Sequence, residues 1–168
     1  MDLRDLRELF IDSLKYIVLI IALIYTLTNV ITIQQVIGPS MNPTYQNGDA
    51  LILGRFHYKI FKIKRYDVIS FSDKQSKYLI KRVIGLPGEK IEYIDNKLYI
   101  NDIEVDDKYS VDTYNFSVEL LGYDKIPEGY YLVLGDNRKD SLDSRQLGLI
   151  KKENIIGKPY FRLWPLFR

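Results

Sequence analysis

Tyr78-Leu79-Ile80-Lys81-Arg82-Val83-Ile84-Gly85-Leu86-Pro87-Gly88 is the stretch that decides the fold. Branched and aromatic residues fill its first part, and Gly85-Leu86-Pro87-Gly88 closes it, which predicts a strand over 78–84. In a strand, Leu79, Lys81 and Val83 share one face, and Ile80, Arg82 and Ile84 share the other. One of two adjacent cations is therefore directed into the interior or a cleft. Burial disfavours a charged ammonium and lowers a lysine pKa, which equips Lys81 as a general base near neutral pH. The competing reading pairs both cations with acids at the surface.

Outward from this strand the pattern repeats. Ala50–Leu53, Val68–Phe71 and Tyr130–Leu134 are short apolar runs between turn residues. Lys90–Ile94 and Lys97–Ile100 flank Asp95-Asn96, a turn pair suited to a hairpin. Residues 102–128 mix charges, Tyr and Ser with little periodicity, and predict a small insertion on the β body. No long amphipathic helix is predicted after residue 33. The expected fold class is mainly β: one N-terminal transmembrane helix followed by a compact, mostly antiparallel catalytic domain.

That helix is expected from the uncharged run between Lys15 and Asp49. Its apolar first part, Tyr16 to Ile33, would rise roughly 27 Å as a helix, near the bilayer core of about 30 Å. No Ala-x-Ala pattern follows it, so an uncleaved anchor is expected rather than a signal peptide. Arg4, Arg7 and Lys15 precede the run, and residues 34–54 carry no Lys or Arg. This predicts a cytoplasmic tail over 1–15, an anchor over 16–33 and an exported domain over 34–168.

Composition narrows the chemistry. The 168 residues carry a net charge of +2, too balanced to point to nucleic acid. There is no Cys, so thiolate nucleophiles, disulfides and thiolate metal sites are excluded. One His cannot build a multi-histidine metal site. No metal and no cofactor are expected.

Gly38-Pro39-Ser40-Met41-Asn42-Pro43-Thr44 is dense in conformational restriction, and can hold a serine hydroxyl on a rigid turn. Such a segment also makes ordinary turns, and a serine nucleophile needs a base. His57 lies among basic and aromatic residues without an evident orienting carboxylate, and is expected at the surface. Lys81 is the other candidate. Gly135 to Gly148 concentrates hydrogen-bonding side chains, among them Ser141, Asp143 and Arg145, that can position a neutral lysine or form a solvated loop.

Four boxes in order carry a resemblance: Ser40-Met-x-Pro-Thr44, Tyr66-Asp-Val-Ile-Ser-Phe71, Lys81-Arg-Val-Ile-Gly-Leu-Pro-Gly-Glu89 and Gly135-Asp-Asn-Arg-x-x-Ser-x-Asp-Ser-Arg-x-x-Gly148. Together, behind a membrane anchor, they closely resemble bacterial type I signal peptidase. The resemblance implies a Ser/Lys serine endopeptidase that removes signal peptides from exported preproteins through an acyl-enzyme. It implies a single-pass protein of the bacterial cytoplasmic membrane with the catalytic domain on the outer face. Ser40 matches the nucleophile and Lys81 the general base. Ser141 matches the hydroxyl that orients the lysine, and Asp143 with Arg145 a pair that holds the loop. The Ser40 backbone N–H matches one oxyanion donor. Some relatives have a hydroxyl two residues earlier, where this chain has Gly38, so the second donor is unassigned.

By the same resemblance Val36, Ile37, Met41, Leu79 and Ile80 line a shallow pocket for small residues, with Tyr45 in reach. A substrate strand is expected beside 34–38 and 79–81. The partners implied are preprotein signal peptides and membrane lipid, with no nucleic acid, and a monomer is expected. Residues 56–61 and 161–168 mix aromatics with Lys or Arg and are candidate lipid contacts. Two other readings fit less of the sequence: a Ser/Lys autoprotease related to SOS repressors, and an inactive membrane-anchored binding domain.

Overall fold

The computed structural model describes residues 2–73, 75, 77–109 and 111–164. The chain opens with a helix, α1 (Leu3–Val30), that starts well before Tyr16. Asp2 explains the start: its carboxylate accepts from the Leu3 N–H at 2.7 Å, and Asp5 accepts from the Asp2 N–H at 3.0 Å. Such a capping box satisfies donors that an open first turn leaves bare. The helix also ends earlier than expected. Ile31–Gln35 forms β1, paired antiparallel with β2 (Ala50–Gly54), with Ile33 opposite Ile52. Branched Ile31, Thr32 and Ile33 favour that extended pairing. What is left of the apolar run as helix, Tyr16 to Val30, rises only about 22 Å. Among the described residues no helix is long and apolar enough to cross a membrane.

After β2 come α2 (His57–Ile60), β3 (Val68–Ser72) and β4 (Tyr78–Gly85). The expected hairpin follows as β5 (Ile91–Ile94) and β6 (Lys97–Ile100), turning on Asp95 and Asn96, both at positive φ. Then come β7 (Ile103–Val105), β8 (Phe116–Ser117) and β9 (Tyr130–Leu134). The chain continues through α3 (Ser144–Leu147), β10 (Ile150–Lys151) and β11 (Ile155–Trp164).

Seven strands form one sheet in the order β1-β2-β11-β3-β4-β9-β10, and four form another in the order β7-β6-β5-β8. Every strand pairing is antiparallel. The 102–128 segment carries β7 and β8. It completes a second sheet that begins at Ile91, and its strands are too short to show a period in sequence. The largest element missed in sequence is β11. Gly157 and Pro159 interrupt its pattern, and it bulges between Pro159 and Phe161. Phe161–Trp164 of the candidate lipid segment end this strand, and residues 165–168 lie outside the described residues.

β4 joins three apolar clusters. Ile80 packs with Val36, Met41, Leu51 and Leu53. Val83 packs with Ile69, Phe71 and Val133. Ile84 packs with Ile91, Tyr93, Leu98 and Leu134 beneath the second sheet. From Ile80 onward β4 is buried on both faces. Both cations are consequently buried: Lys81 is 2% exposed and Arg82 8%.

Candidate active site

Ser40 sits on the turn that leaves β1. Gly38 adopts φ +83°, a left-handed conformation that side chains rarely take. The Asn42 N–H donates to the Pro39 carbonyl at 2.9 Å, and the Tyr45 N–H to the Met41 carbonyl at 2.9 Å, winding the segment tightly. The Asn137 N–H donates to the Ser40 carbonyl at 3.0 Å, tying the turn to the 135–148 loop.

Lys81 meets Ser40 across this junction. Its Nζ donates to Ser40 Oγ at 2.7 Å and to the Ile80 carbonyl at 3.0 Å. Burial lowers the Lys81 pKa to about 8, while the Asp143 and Asp136 charges hold it up against a further fall. His57 lies elsewhere. It is on α2 with its Nδ1 2.5 Å from the Tyr160 hydroxyl, and burial beside Lys158 lowers its pKa.

The 135–148 loop brings the other expected residues close, by different means. Asp143 is fully buried and accepts from the Gly135 N–H at 3.0 Å. It also accepts from Arg145 Nε at 2.9 Å and from the other guanidinium nitrogen at 2.8 Å. It caps α3, while Arg145 reaches back to the Arg138 carbonyl at 2.8 Å. Ser141 makes no such bond. Its Oγ is buried without a hydrogen-bond partner among the described residues, and Lys81 does not receive it. A Cβ at Gly135 would collide with the Ser141 hydroxyl and with the Ser40 carbonyl, so a glycine there permits the close approach. The Gly38 N–H donates to Asn47 Oδ1 at 2.9 Å.

An open cleft of about 530 Å³ adjoins the Ser40–Lys81 pair. Ile33, Gln34, Gln35, Val36 and Ile37 form one wall, and Lys77, Tyr78, Leu79 and Ile80 the other, with Met41 between. Tyr45 is not in it. Its ring packs on the apolar cluster of Val36 and Met41, below the Arg162 guanidinium.

Two buried networks escaped sequence reasoning. Arg82 Nε donates to Asp136 Oδ1 at 2.7 Å, and a second nitrogen to Oδ2 at 2.6 Å. Thr44 Oγ1 donates to the same Asp136, so the pair grips the far end of the Ser40 turn. Arg138 donates to Asp107 at 2.8 Å, to Thr113 at 2.9 Å and to Tyr93 at 3.1 Å, tying the second sheet to the loop. The cation beside Lys81 was visible in sequence, but its partner, Asp136, is 54 positions away.

The family profile described as "Signal peptidase, peptidase S26" matches residues 10–164. The chain belongs to this signal peptidase family. It is 43% identical over 131 residues to signal peptidase I V of Bacillus subtilis (strain 168), covering 71% of this chain and 78% of that protein. It is 41% identical over 139 residues to signal peptidase I of Bacillus caldolyticus, covering 76% of each. A solved signal peptidase I from Enterococcus faecalis V583 superposes with a TM-score of 0.55 at 38% identity, covering 59% of this chain and 97% of that one. The resemblance carried by the four boxes is thus the family itself, and the mainly antiparallel β architecture is that of a signal peptidase domain.

Proposed function

We propose that this signal peptidase family member removes signal peptides from exported preproteins, with Ser40 as nucleophile and Lys81 as general base. The observation that carries the proposal is the 2.7 Å contact between Lys81 Nζ and Ser40 Oγ, made by a lysine that burial leaves with a pKa of about 8. A neutral amine at that distance accepts the hydroxyl proton as Oγ attacks the scissile carbonyl. The resulting ammonium returns a proton to the leaving amine, and an ester forms on Ser40. Lys81, neutral again, deprotonates the water that hydrolyses it. The Ser40 N–H serves as one oxyanion donor. Asp143 with Arg145 holds the loop, and the Ser141 hydroxyl takes up the lysine only during turnover, since it does not contact Lys81 at rest.

The substrate lies extended between 34–37 and 77–80. Both walls offer strand backbone: among the described residues β1 pairs only with β2, and the pairing of β4 with β9 begins at Arg82. Val36, Ile37, Met41, Leu79 and Ile80 leave room for small residues at positions -1 and -3 from the cut.

α1 anchors the chain in the bacterial cytoplasmic membrane, with its N-terminus inside and the β domain outside. The support is a sleeve of exposed apolar residues around the helix, from Ile17 to Ile24, which water disfavours. Tyr16 to Val30 falls short of the bilayer core, and the Lys15 side chain reaching toward the interface with local thinning makes up the difference.

In detergent, the wild type is expected to cleave a signal-peptide substrate after a small residue, and Ser40→Ala to lose that cleavage. Cleavage by Ser40→Ala overturns the dyad. A C-terminal reporter active only in the cytoplasm stays silent if the topology is right, and activity overturns it.

A further inference from the structure

The cleft walls belong to distant parts of one sheet. In the order β1-β2-β11-β3-β4, the strand carrying one wall is separated from the other by three strands, and curling brings them face to face. Besides the Lys81–Ser40 hydrogen bond at one end, contacts join the walls beneath the cleft. Val36 and Ile80 share an apolar cluster. Two residues before Val36, and so on the same face of the extended chain, the Gln34 side chain accepts a hydrogen bond from the Ser70 hydroxyl. Ser70 is the register partner of Ile80 and is fully buried.

These contacts differ in stiffness. Apolar contacts are shallow and tolerate small shifts, whereas a hydrogen bond weakens steeply once its length or angle departs from a narrow range. The Gln34–Ser70 bond is the one side-chain hydrogen bond among the described residues that joins β1 to β3 or β4. Among the described residues, β1 has no strand other than β2 beside it. The bond therefore acts as a strut of set length between the two walls.

We infer that Gln34 is a specificity-determining positioning residue: its hydrogen bond to Ser70 sets the cleft width and so enforces small side chains in the substrate. This rests on the signal-peptide reading above and names what tunes its selectivity. Losing the strut lets the β1 wall yield, admits larger residues and weakens the grip on the small ones.

The test compares kcat/KM for two signal-peptide substrates, one with Ala and one with Leu at position -3. Gln34→Met keeps length and bulk but removes the acceptor, and Ser70→Ala removes the donor from the other side. For each, the Ala-over-Leu preference is expected to fall roughly tenfold, carried by KM more than kcat. The pH dependence set by Lys81 stays where it is in wild type. Gln34→Glu, assayed with its carboxylate ionised, retains an acceptor and is expected to retain the preference. An unchanged preference in both folded Gln34→Met and Ser70→Ala, as judged by melting temperature, overturns the inference. So does an equal loss in Gln34→Glu and Gln34→Met. Failure of the wild type to cleave the Ala substrate at all overturns the parent reading and this one with it.

Discussion

Lys81 and Arg82 are neighbours on one strand, both buried, and the protein puts them to opposite uses. Arg82 lies against Asp136 with two short hydrogen bonds. Burial alone would lower its pKa, but the carboxylate more than offsets this, and the guanidinium stays charged. Lys81 has a hydroxyl and a carbonyl as its contacts, with Asp143 and Asp136 acting only through space. Burial therefore wins, and the amine can be neutral near physiological pH. The difference is not in burial but in whether a carboxylate is in contact. One cation becomes a clamp on the Ser40 turn, and the other becomes a base.

The sharpest way to break this contrast is to remove the base. Lys81→Met fills the same space without an amine and is expected to lower kcat about 10⁴-fold, with the melting temperature unchanged or raised. Single-turnover cleavage of a signal-peptide substrate measures it. Next is the clamp. Asp136→Asn leaves Arg82 buried and uncompensated, and is expected to cost about 3–5 kcal/mol of stability in denaturant unfolding.

The third test reads the lysine directly. A base must be neutral, and the neutral fraction of Lys81 grows as pH rises through about 8. Activity is expected to climb along that limb, so that kcat/KM at pH 6 is about 10²-fold below its plateau. A limb centred near 6.5 would point to histidine instead. The smallest effect is expected at Ser141. Its hydroxyl has no partner among the described residues, so Ser141→Ala should leave stability within about 0.5 kcal/mol. A drop in kcat of about tenfold would assign it to orienting Lys81 during turnover.

Much of the fold was legible. The strands at Ala50, Val68, Tyr78 and Tyr130 and the Asp95-Asn96 hairpin follow from local composition, because apolar runs between turn residues leave few other options. β11 was not legible, since its Gly157 and Pro159 are tolerated only where the sheet bulges around them. The end of α1 was misplaced for a related reason. Ile31, Thr32 and Ile33 suit a helix in lipid and a strand beside β2 equally well, and only the pairing chooses. In the cleft, Tyr45 lies too close in sequence to Ser40 to be told apart from a lining residue, yet it turns onto the apolar cluster.

The sequence by itself determined the chemistry on offer: no thiol, one histidine, a serine on a restricted turn and a lysine within an apolar strand. Its four boxes in order also determined the family. Tertiary structure decided which partners meet. Lys81 reaches Ser40 across 41 positions, Arg82 reaches Asp136 across 54, and Ser70 reaches Gln34 across 36. Local composition sets what a residue prefers. Which buried cation finds a carboxylate, and which finds a hydroxyl, depends on sheet order, and sheet order is a property of the whole chain.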